Sequence, residues 1–237
     1  MNFNIRVAEL NVSISCQGAL TERICRPYKT DSTRTDLRIF TTSGAVARKR
    51  RELPIGLDAE QAESICLHEE IALRLADFDA FVLHAALISY QGKGYAIVAP
   101  RGGGKTTHAK LWRSYFGDDV HIINGDKPII RLGKDGFTGY GTPWCGKEGL
   151  GENAAVPLCG ICFITKGEQD SVRTVDEREY LDLLIGQVVF ADDRASMDRG
   201  ARLLAKLIRT VPAVAAECTM TEQAARTVFA AWNRNRS

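Results

Sequence analysis

The stretch 98–108, which reads VAPRGGGKTTH, follows an apolar run and precedes a segment of helix-forming residues. A strand, a glycine-rich turn, a Lys-Thr pair and a helix in this order are typical of loops that bind phosphate. The three glycines at 102–104 allow successive backbone N–H groups to face one anion, and the N-terminus of the following helix attracts the same charge. The stretch therefore predicts a nucleotide-binding loop at the end of a buried strand.

This loop departs from the pattern G-x-x-x-x-G-K-[ST] at its first position, where Ala99 replaces glycine. The other elements are present, so we expect a working site. Lys105 supplies a positive charge for the β and γ phosphates, and the Thr106 hydroxyl can ligate Mg²⁺. The residues assigned to nucleotide binding are Arg101, Gly102, Gly103, Gly104, Lys105, Thr106 and Thr107.

A magnesium–nucleotide site also needs a carboxylate near the loop. Asp126 follows the apolar run VHIIN at 120–124, which predicts a strand that could lie beside the loop. Asp118 and Asp119 are the competing pair, but they precede that strand and fit a solvated turn. The sequence therefore favours Asp126 as the metal-binding carboxylate.

The rest of the pattern predicts an α/β fold with a mixed sheet. Two apolar runs at 81–90 and 95–100, joined by QGKG, predict a hairpin that leads into the loop and into a helix over 105–116. Further strands are predicted at 120–124, in a hairpin over 127–141, at 157–164 and at 213–217, with three helices near the C-terminus. Thr219 and Glu222 are predicted to cap the last of these, and His108 is expected to be a solvated or capping histidine.

The first part of the chain predicts short strands near 3–7, 12–14 and 37–40, then a basic run at 48–51 that we expect in a solvated turn. Asp58 and Gln61 form a capping box that predicts a helix start. We therefore predict a small β-rich N-terminal lobe over 1–56 and an α/β domain over 57–237.

Composition narrows the possible partners. The 237 residues are 45% hydrophobic and 25% charged, with a net charge of +2, so no strong field attracts nucleic acid or an anionic membrane. No apolar run is long enough to span a bilayer, and no signal peptide is recognisable. Seven scattered cysteines, including C-x-x-C at 159–162 inside an apolar run, predict reduced thiols and a cytoplasmic protein.

The segment from about 81 to 189 resembles the catalytic domain of HPr kinase/phosphorylase, and is more similar still to the smaller HPr-kinase-like proteins that include lasso-peptide kinases. GKTT at 104–107 also resembles the related phosphoenolpyruvate carboxykinases. The resemblance implies a mixed-sheet P-loop kinase fold that transfers the γ-phosphate of ATP to a hydroxyl, a protein serine in HPr kinase. It matches His84 to the family histidine, the loop to the nucleotide site, and Asp126 to the second acid of an Asp-Asp pair.

The first acid of that pair is replaced by Gly125, which cannot accept the proton of an attacking hydroxyl. Asp126 could take both roles, His84 could act as the base, another residue could supply it, or the chain could bind nucleotide and transfer poorly. The loop 141–151, GTPWCGKEGLG, offers Lys147 to steady the transferring phosphate and Glu148 as a further Mg²⁺ ligand. A structural loop with a packed Trp144 is the alternative.

The sequence thus predicts a phosphotransferase that uses ATP and Mg²⁺, with catalytic residues His84, Lys105, Asp126 and Lys147 and metal ligands Thr106, Asp126 and Glu148. The acceptor is a hydroxyl on a peptide, a protein or a small metabolite. The alternative is a nucleotide-binding module with little or no transfer activity that acts on a partner or peptide. Because HPr kinases are hexameric, a homo-oligomer is possible.

Overall fold

The computed structural model describes residues 1–53 and 56–234, and within them the chain is a mixed α/β protein with one large sheet and one small sheet. The strands are β1 (Asn2–Val7), β2 (Leu10–Ser15), β3 (Leu37–Phe40), β4 (Ala80–Val82), β5 (Ala85–Tyr90), β6 (Lys93–Val98), β7 (Val120–Asn124), β8 (Ile129–Gly133), β9 (Gly136–Tyr140), β10 (Ala155–Lys166), β11 (Ser171–Thr174) and β12 (Ala213–Cys218). The α-helices are α1 (Ala19–Cys25), α2 (Ser43–Glu52), α3 (Ala59–Arg74), α4 (Lys105–Phe116), α5 (Glu177–Ile185), α6 (Arg194–Thr210) and α7 (Glu222–Arg234). The predicted fold class is confirmed.

The large sheet is mixed and has nine strands among the described residues. Its main path runs β4-β8-β9-β10-β6-β5-β7, with β12 added to β10 and β11 to β12. Strands β6, β10 and β12 are parallel to one another, and β5 is antiparallel to both β6 and β7. The carboxyl ends of β6, β7, β10 and β12 therefore meet at the same sheet edge as the start of β5, which is where open α/β sheets bind ligands.

Helices cover both faces of this sheet. On one face, α4 and α7 bury a cluster of aromatic rings in which Tyr95 and Trp232 stack at 4.4 Å between centroids and Trp112 is fully buried. On the other face, α5 and α6 pack through Leu184 and Leu207. These two cores hold the sheet, and the loops at its carboxyl edge, in a fixed position.

The small sheet has the order β1-β2-β3, with an antiparallel and a parallel pairing. It packs on α3 and on β4 through a separate core that includes Ile5, Ile14, Ile39, Leu67 and Ile71. Helix α3 starts with the predicted capping box, in which Asp58 and Gln61 bond reciprocally at 2.7 and 3.1 Å. The division of the chain near residue 56 stays a prediction.

The basic run at 48–51 lies in helix α2, so the predicted turn is wrong. Thr42 caps this helix by accepting a hydrogen bond from the Ala45 N–H at 3.2 Å. None of the side chains of α2 is fully buried, but Lys49 pairs with Glu69 of α3 at 2.8 Å. Capping and ion pairs thus stabilise a helix that lacks an apolar face.

The predicted strand over 81–90 is interrupted at His84. The backbone bends there because the Leu83 N–H donates to Pro128 O, the His84 N–H to Gln187 O and the Ala85 N–H to Asp126 O, at 2.8–3.1 Å. Strand β4 before the bend pairs with β8, whereas β5 after it pairs with β6 and β7. His84 therefore lies at the sheet edge and not inside a strand.

Two details near the C-terminus also differ from the prediction. Helix α7 begins at Glu222, and the Thr219 backbone N–H and hydroxyl instead donate to Asp170 at 2.7 and 2.9 Å. Strand β11 was not predicted, because its four residues are mostly exposed and pair only with the edge of β12.

The seven cysteines form no disulfides among the described residues, as predicted, and both cysteines of the C-x-x-C pattern lie on β10. Among the described residues, no helix combines the length and the apolar character needed to cross a membrane.

Candidate active site

The glycine-rich loop lies between β6 and α4 at the carboxyl edge of the large sheet. Gly102 and Gly104 have φ values of +76° and +98°, which glycine adopts with little strain. The Gly103 N–H donates to Pro100 O at 2.9 Å, and a Cβ on Gly103 would lie 2.8 Å from the Ala99 Cβ. Ala99 is therefore accommodated because Gly103 leaves room for its methyl group.

Lys105 is the first residue of α4 and is buried, with 7% of its surface exposed. Its ammonium group donates to Ala99 O at 3.1 Å and contacts His84 Nε2 at 3.0 Å. Burial lowers the pKa of Lys105, and Asp126 partly opposes this shift. The ammonium is thus held at the mouth of the loop by groups that phosphate oxygens could replace.

His84 contacts Lys105, Asp126 and Gln187, the last of which lies in the turn after α5. Its Nε2 atom lies 3.2 Å from Asp126 Oδ1, and its Nδ1 atom lies 3.0 Å from Gln187 Oε1. With the Gln187 oxygen as acceptor, Nδ1 carries the proton and a neutral ring presents the Nε2 lone pair to Lys105. A protonated ring would instead donate from Nε2 to Asp126.

Asp126 is positioned by Asn124, the last residue of β7. Asn124 Oδ1 accepts hydrogen bonds from the N–H groups of Asp126 and Lys127 at 2.9 and 2.7 Å, and its amide donates to Thr142 Oγ1 at 3.0 Å. Burial raises the pKa of Asp126, but the His84 hydrogen bond and the nearby positive charges outweigh it, so the pKa is lowered. The carboxylate is therefore charged at neutral pH.

A cavity of about 260 Å³ opens above these groups. The residues that line it are His84, Arg101, Gly102, Gly104, Lys105, Thr106, Thr107, Asp126 and Glu148. The structure thus brings together nine of the eleven residues predicted for the site. Gly103 is not part of the lining because it packs on Ala99 and Pro100. Lys147 is exposed on the neighbouring loop and is not part of the lining either, so its catalytic role stays a prediction.

The donor set fits a magnesium ion that is shared with a nucleotide. The Asp126 carboxylate, the Glu148 carboxylate and the Thr106 hydroxyl line the same cavity. Over the described ranges, no group of three or more His, Cys, Asp or Glu side chains is arranged to hold a metal without help. Mg²⁺ in phosphate-transfer sites typically takes one or two protein carboxylates and completes its shell with phosphate oxygens and water.

The loop 141–151 has one part that packs against α3 and another part that lines the cavity. Trp144 packs against His68 and donates from Nε1 to Ser64 Oγ at 3.1 Å, so this part is structural. Glu148, further along, lines the cavity and forms an ion pair with Lys110 of α4. The packed Trp144 is therefore observed, whereas the metal-binding role of Glu148 stays a prediction.

Gly125 is required by the same loop. A Cβ at this position would lie 2.8 Å from Cys145 O and 3.2 Å from Leu150 O, and the Gly125 N–H donates to Leu150 O at 2.9 Å. An aspartate would therefore displace the loop that carries Glu148. The glycine allows this loop to pack against the end of β7.

Three residues of the site were missed by the sequence reasoning. Asn124 ends an apolar strand, so its polar side chain was a usable signal, and Thr142 is its buried partner. Gln187 lies 103 residues after its partner His84, in a segment with no motif, and nothing in the sequence indicated it.

His108 is buried, so its predicted exposure is wrong. It is 2% exposed, and its Nε2 atom has no hydrogen-bond partner within the described chain. Burial lowers its pKa to about 4, so the ring is neutral at pH 7. It lies near the start of α4, where its backbone N–H donates to Gly104 O of the glycine-rich loop at 2.8 Å.

Comparison with known proteins gives a limited result. No protein-family model and no curated protein matches the chain. Among 34 matching chains of solved structures is the Hpr(Ser) kinase/phosphatase from Coxiella burnetii, with a TM-score of 0.30 and 12% sequence identity over 54% of this chain and 90% of that chain. At this level of likeness, the neighbour defines neither the substrate nor the reaction of the present chain.

Proposed function

We propose that this protein is a kinase that binds ATP with Mg²⁺ and transfers the γ-phosphate to a hydroxyl group of a peptide, a protein or a small metabolite. The observation that carries the proposal is the contact chain from Lys105 through His84 to Asp126, at 3.0 and 3.2 Å, inside the cavity of a glycine-rich loop. A glycine turn without a function would not need a buried lysine and a half-buried carboxylate that face the same space.

The loop holds the phosphates. Lys105 exchanges its contacts with Ala99 O and His84 Nε2 for oxygens of the β and γ phosphates, while Arg101 adds a second positive charge at the rim. The N-terminus of α4 faces the same cavity and favours the negative charge. Thr106, Asp126 and Glu148 would hold the magnesium ion, which neutralises charge on the phosphates.

Transfer requires an acceptor oxygen in line with the γ-phosphorus. The acceptor hydroxyl gives its proton to Asp126 or to His84 Nε2, its oxygen forms a bond to the γ-phosphorus, and the bond from that phosphorus to the β-phosphate bridging oxygen breaks, releasing ADP. Such reactions depend mainly on positioning and charge, so the missing acid at position 125 does not prevent them.

The proposal is tested by transfer of label from γ-labelled ATP into a filtered lysate with Mg²⁺. The natural protein is compared with Lys105→Ala and with Lys134→Ala, which removes an exposed lysine in the β8–β9 turn. We expect a labelled species with the natural protein and with Lys134→Ala, and none with Lys105→Ala. Tight ATP binding without any labelled product would support the alternative of a nucleotide-binding module, and equal labelling by all three proteins would exclude this cavity as the site.

A further inference from the structure

At the sheet edge that carries the phosphate-binding loop, other strands lie on both sides of β6. Strands β5 and β7, which precede and follow the loop in sequence, place His84 and Asp126 on one side of β6. Strands β10 and β12 lie on the other side and end in the parallel register Lys166–Cys218. The proposed reacting groups all belong to the first side, which leaves the second side open for the rest of a bound nucleotide.

Two exposed side chains meet the loop on that second side. The Cε atoms of Lys166 and Met220 each lie 3.9 Å from the position that a Cβ on Gly104 would take. Met220 is 49% exposed, although a thioether side chain gains free energy from burial. Lys166 is exposed, and within the part of the chain that the structure describes it takes part in no ion pair. A cation and an apolar side chain thus stand free beside the phosphate-binding loop.

The backbone under these side chains is well anchored. The Gly167 N–H donates to Cys218 O at 3.0 Å, and Asp170 accepts hydrogen bonds from both the N–H and the hydroxyl of Thr219. The turns that follow β10 and β12 are therefore tied to each other directly before Met220. Their side chains form a surface of defined position rather than a pair of independent loops.

We propose that Lys166 and Met220 form the subsite for the nucleotide base, a purine in the case of ATP, which rests on proposed ATP binding by the loop. Sulfur atoms and ammonium groups both bind aromatic faces favourably. A base that leaves the loop toward β10 and β12 would lie with its face against the Met220 thioether and the Lys166 side chain. Lys166 and Met220 are not among the residues that line the phosphate cavity, so the subsite adjoins that cavity at Gly104 and extends it toward β10 and β12.

The test compares two ligands that share phosphates but not the base. Binding of Mg²⁺–ATP and of Mg²⁺–tripolyphosphate is measured calorimetrically for the natural protein, Met220→Ala and Lys166→Met. We expect each substitution to weaken ATP binding by about threefold to tenfold, with tripolyphosphate affinity unchanged within twofold. Met197→Ala and Lys134→Met, which alter exposed residues elsewhere, should change neither affinity.

Other outcomes overturn the proposal in distinguishable ways. If ATP affinity is unchanged in Met220→Ala and Lys166→Met while Lys105→Ala loses both ligands, the base subsite is wrong and the phosphate site stands. If Lys166→Met weakens both ligands equally, Lys166 contacts phosphate and not the base. If the natural protein binds neither ligand, the subsite and the proposed function both fail.

Discussion

Two cavities formed by the described residues differ in how their polar groups are used. The larger, of about 440 Å³, lies among α1, α2 and α3, and the phosphate cavity has about 260 Å³. In the larger cavity, the carboxylates of Glu60 and Glu63 accept hydrogen bonds from four backbone N–H groups at residues 17–20, at 2.7–3.1 Å. The carboxylates of the larger cavity therefore stabilise the fold, whereas the charged groups of the smaller cavity converge on open space. Convergence of polar groups, more than volume, marks a binding site.

The largest effect is expected from Asp126→Asn, which changes a charged group of the smaller cavity. We expect phosphate transfer to fall by about 10²- to 10⁴-fold, because the amide neither accepts a proton nor binds Mg²⁺ well. The free energy of unfolding should change little by comparison. Initial rates with γ-labelled ATP measure the effect, and Asp135→Asn, an exposed carboxylate in the β8–β9 turn, is the matched control. Equal losses in both variants would remove Asp126 from the mechanism.

Gly125→Asp is expected to damage both stability and transfer, because its side chain would enter the space occupied by Cys145 O and Leu150 O. Overpacking of this kind typically costs about 1–3 kcal/mol, and displacement of the loop would move Glu148 out of the cavity. Urea denaturation and transfer assays measure the two effects. A gain in transfer rate would instead show that the natural chain lacks a catalytic acid.

Acid should destabilise the protein through the buried histidine under the phosphate loop. An unfolded histidine binds a proton below about pH 6.5, whereas the pKa of His108 in the fold is about 4. Between these values the unfolded state binds more protons, so the free energy of unfolding falls by about 3 kcal/mol as pH falls through this window. His68 adds a similar term, since burial lowers its pKa to about 4 as well.

In His108→Leu, the slope of unfolding free energy against pH should decrease by about one proton between pH 6.5 and 4. Chemical denaturation at a series of pH values measures it. An unchanged slope would mean that His108 is accessible to protons in the folded state.

Glu63→Gln tests the larger cavity. The carboxylate accepts hydrogen bonds from the N–H groups of Gln17 and Gly18, and an amide can accept only one of them. We expect a loss of about 2 kcal/mol in unfolding free energy with ATP affinity unchanged within twofold. Glu60→Gln, which alters a more exposed carboxylate with similar contacts, should cost less. Loss of ATP binding in Glu63→Gln would connect the two cavities.

The smallest effect is expected from Gln187→Leu. Without its hydrogen bond to Nδ1, His84 is free to change tautomer, so the rate of transfer should fall by about tenfold with little change in KM for ATP. The pH dependence of the rate should shift in the same variant, whereas Gln187→Glu, which keeps an acceptor oxygen, should restore part of the rate. A purely structural role for Gln187 would lower stability and leave the pH profile unchanged.

Sequence patterns correctly predicted helix boundaries that depend on residues close together in the chain. Helix α4 begins and ends at the predicted residues, Lys105 and Phe116, because glycines flank it, and the capping box at Asp58 fixes the start of α3. The bend at His84 was not predictable, because the hydrogen bonds that hold it come from Asp126, Pro128 and Gln187, residues distant in sequence.

In the candidate site, too, contacts between residues distant in sequence could not be predicted. Spacing and residue type predicted that the loop and Asp126 lie together, and the structure brings them to one cavity. The reason for Gly125 was not accessible, since it depends on carbonyl groups of a loop 20 to 25 residues later in the chain. Helix α2 was missed because ion pairs and a cap stabilise it in place of apolar periodicity.

The end of the loop that carries Glu148 is anchored by residues 27 and 28. The Tyr28 hydroxyl donates to Glu152 O at 3.2 Å and the Asn153 amide to Pro27 O at 2.9 Å, across more than 120 residues. During synthesis, the glycine-rich loop at 98–108 is complete before the loop 141–151 and Gln187 are available to contact the site. Contacts of such range cost loop-closure entropy, so completing the cavity depends on bringing together segments that are distant in sequence. A nucleotide that binds only the finished cavity would favour the completed fold by mass action, and nucleotide supply would then influence how much mature protein a cell retains.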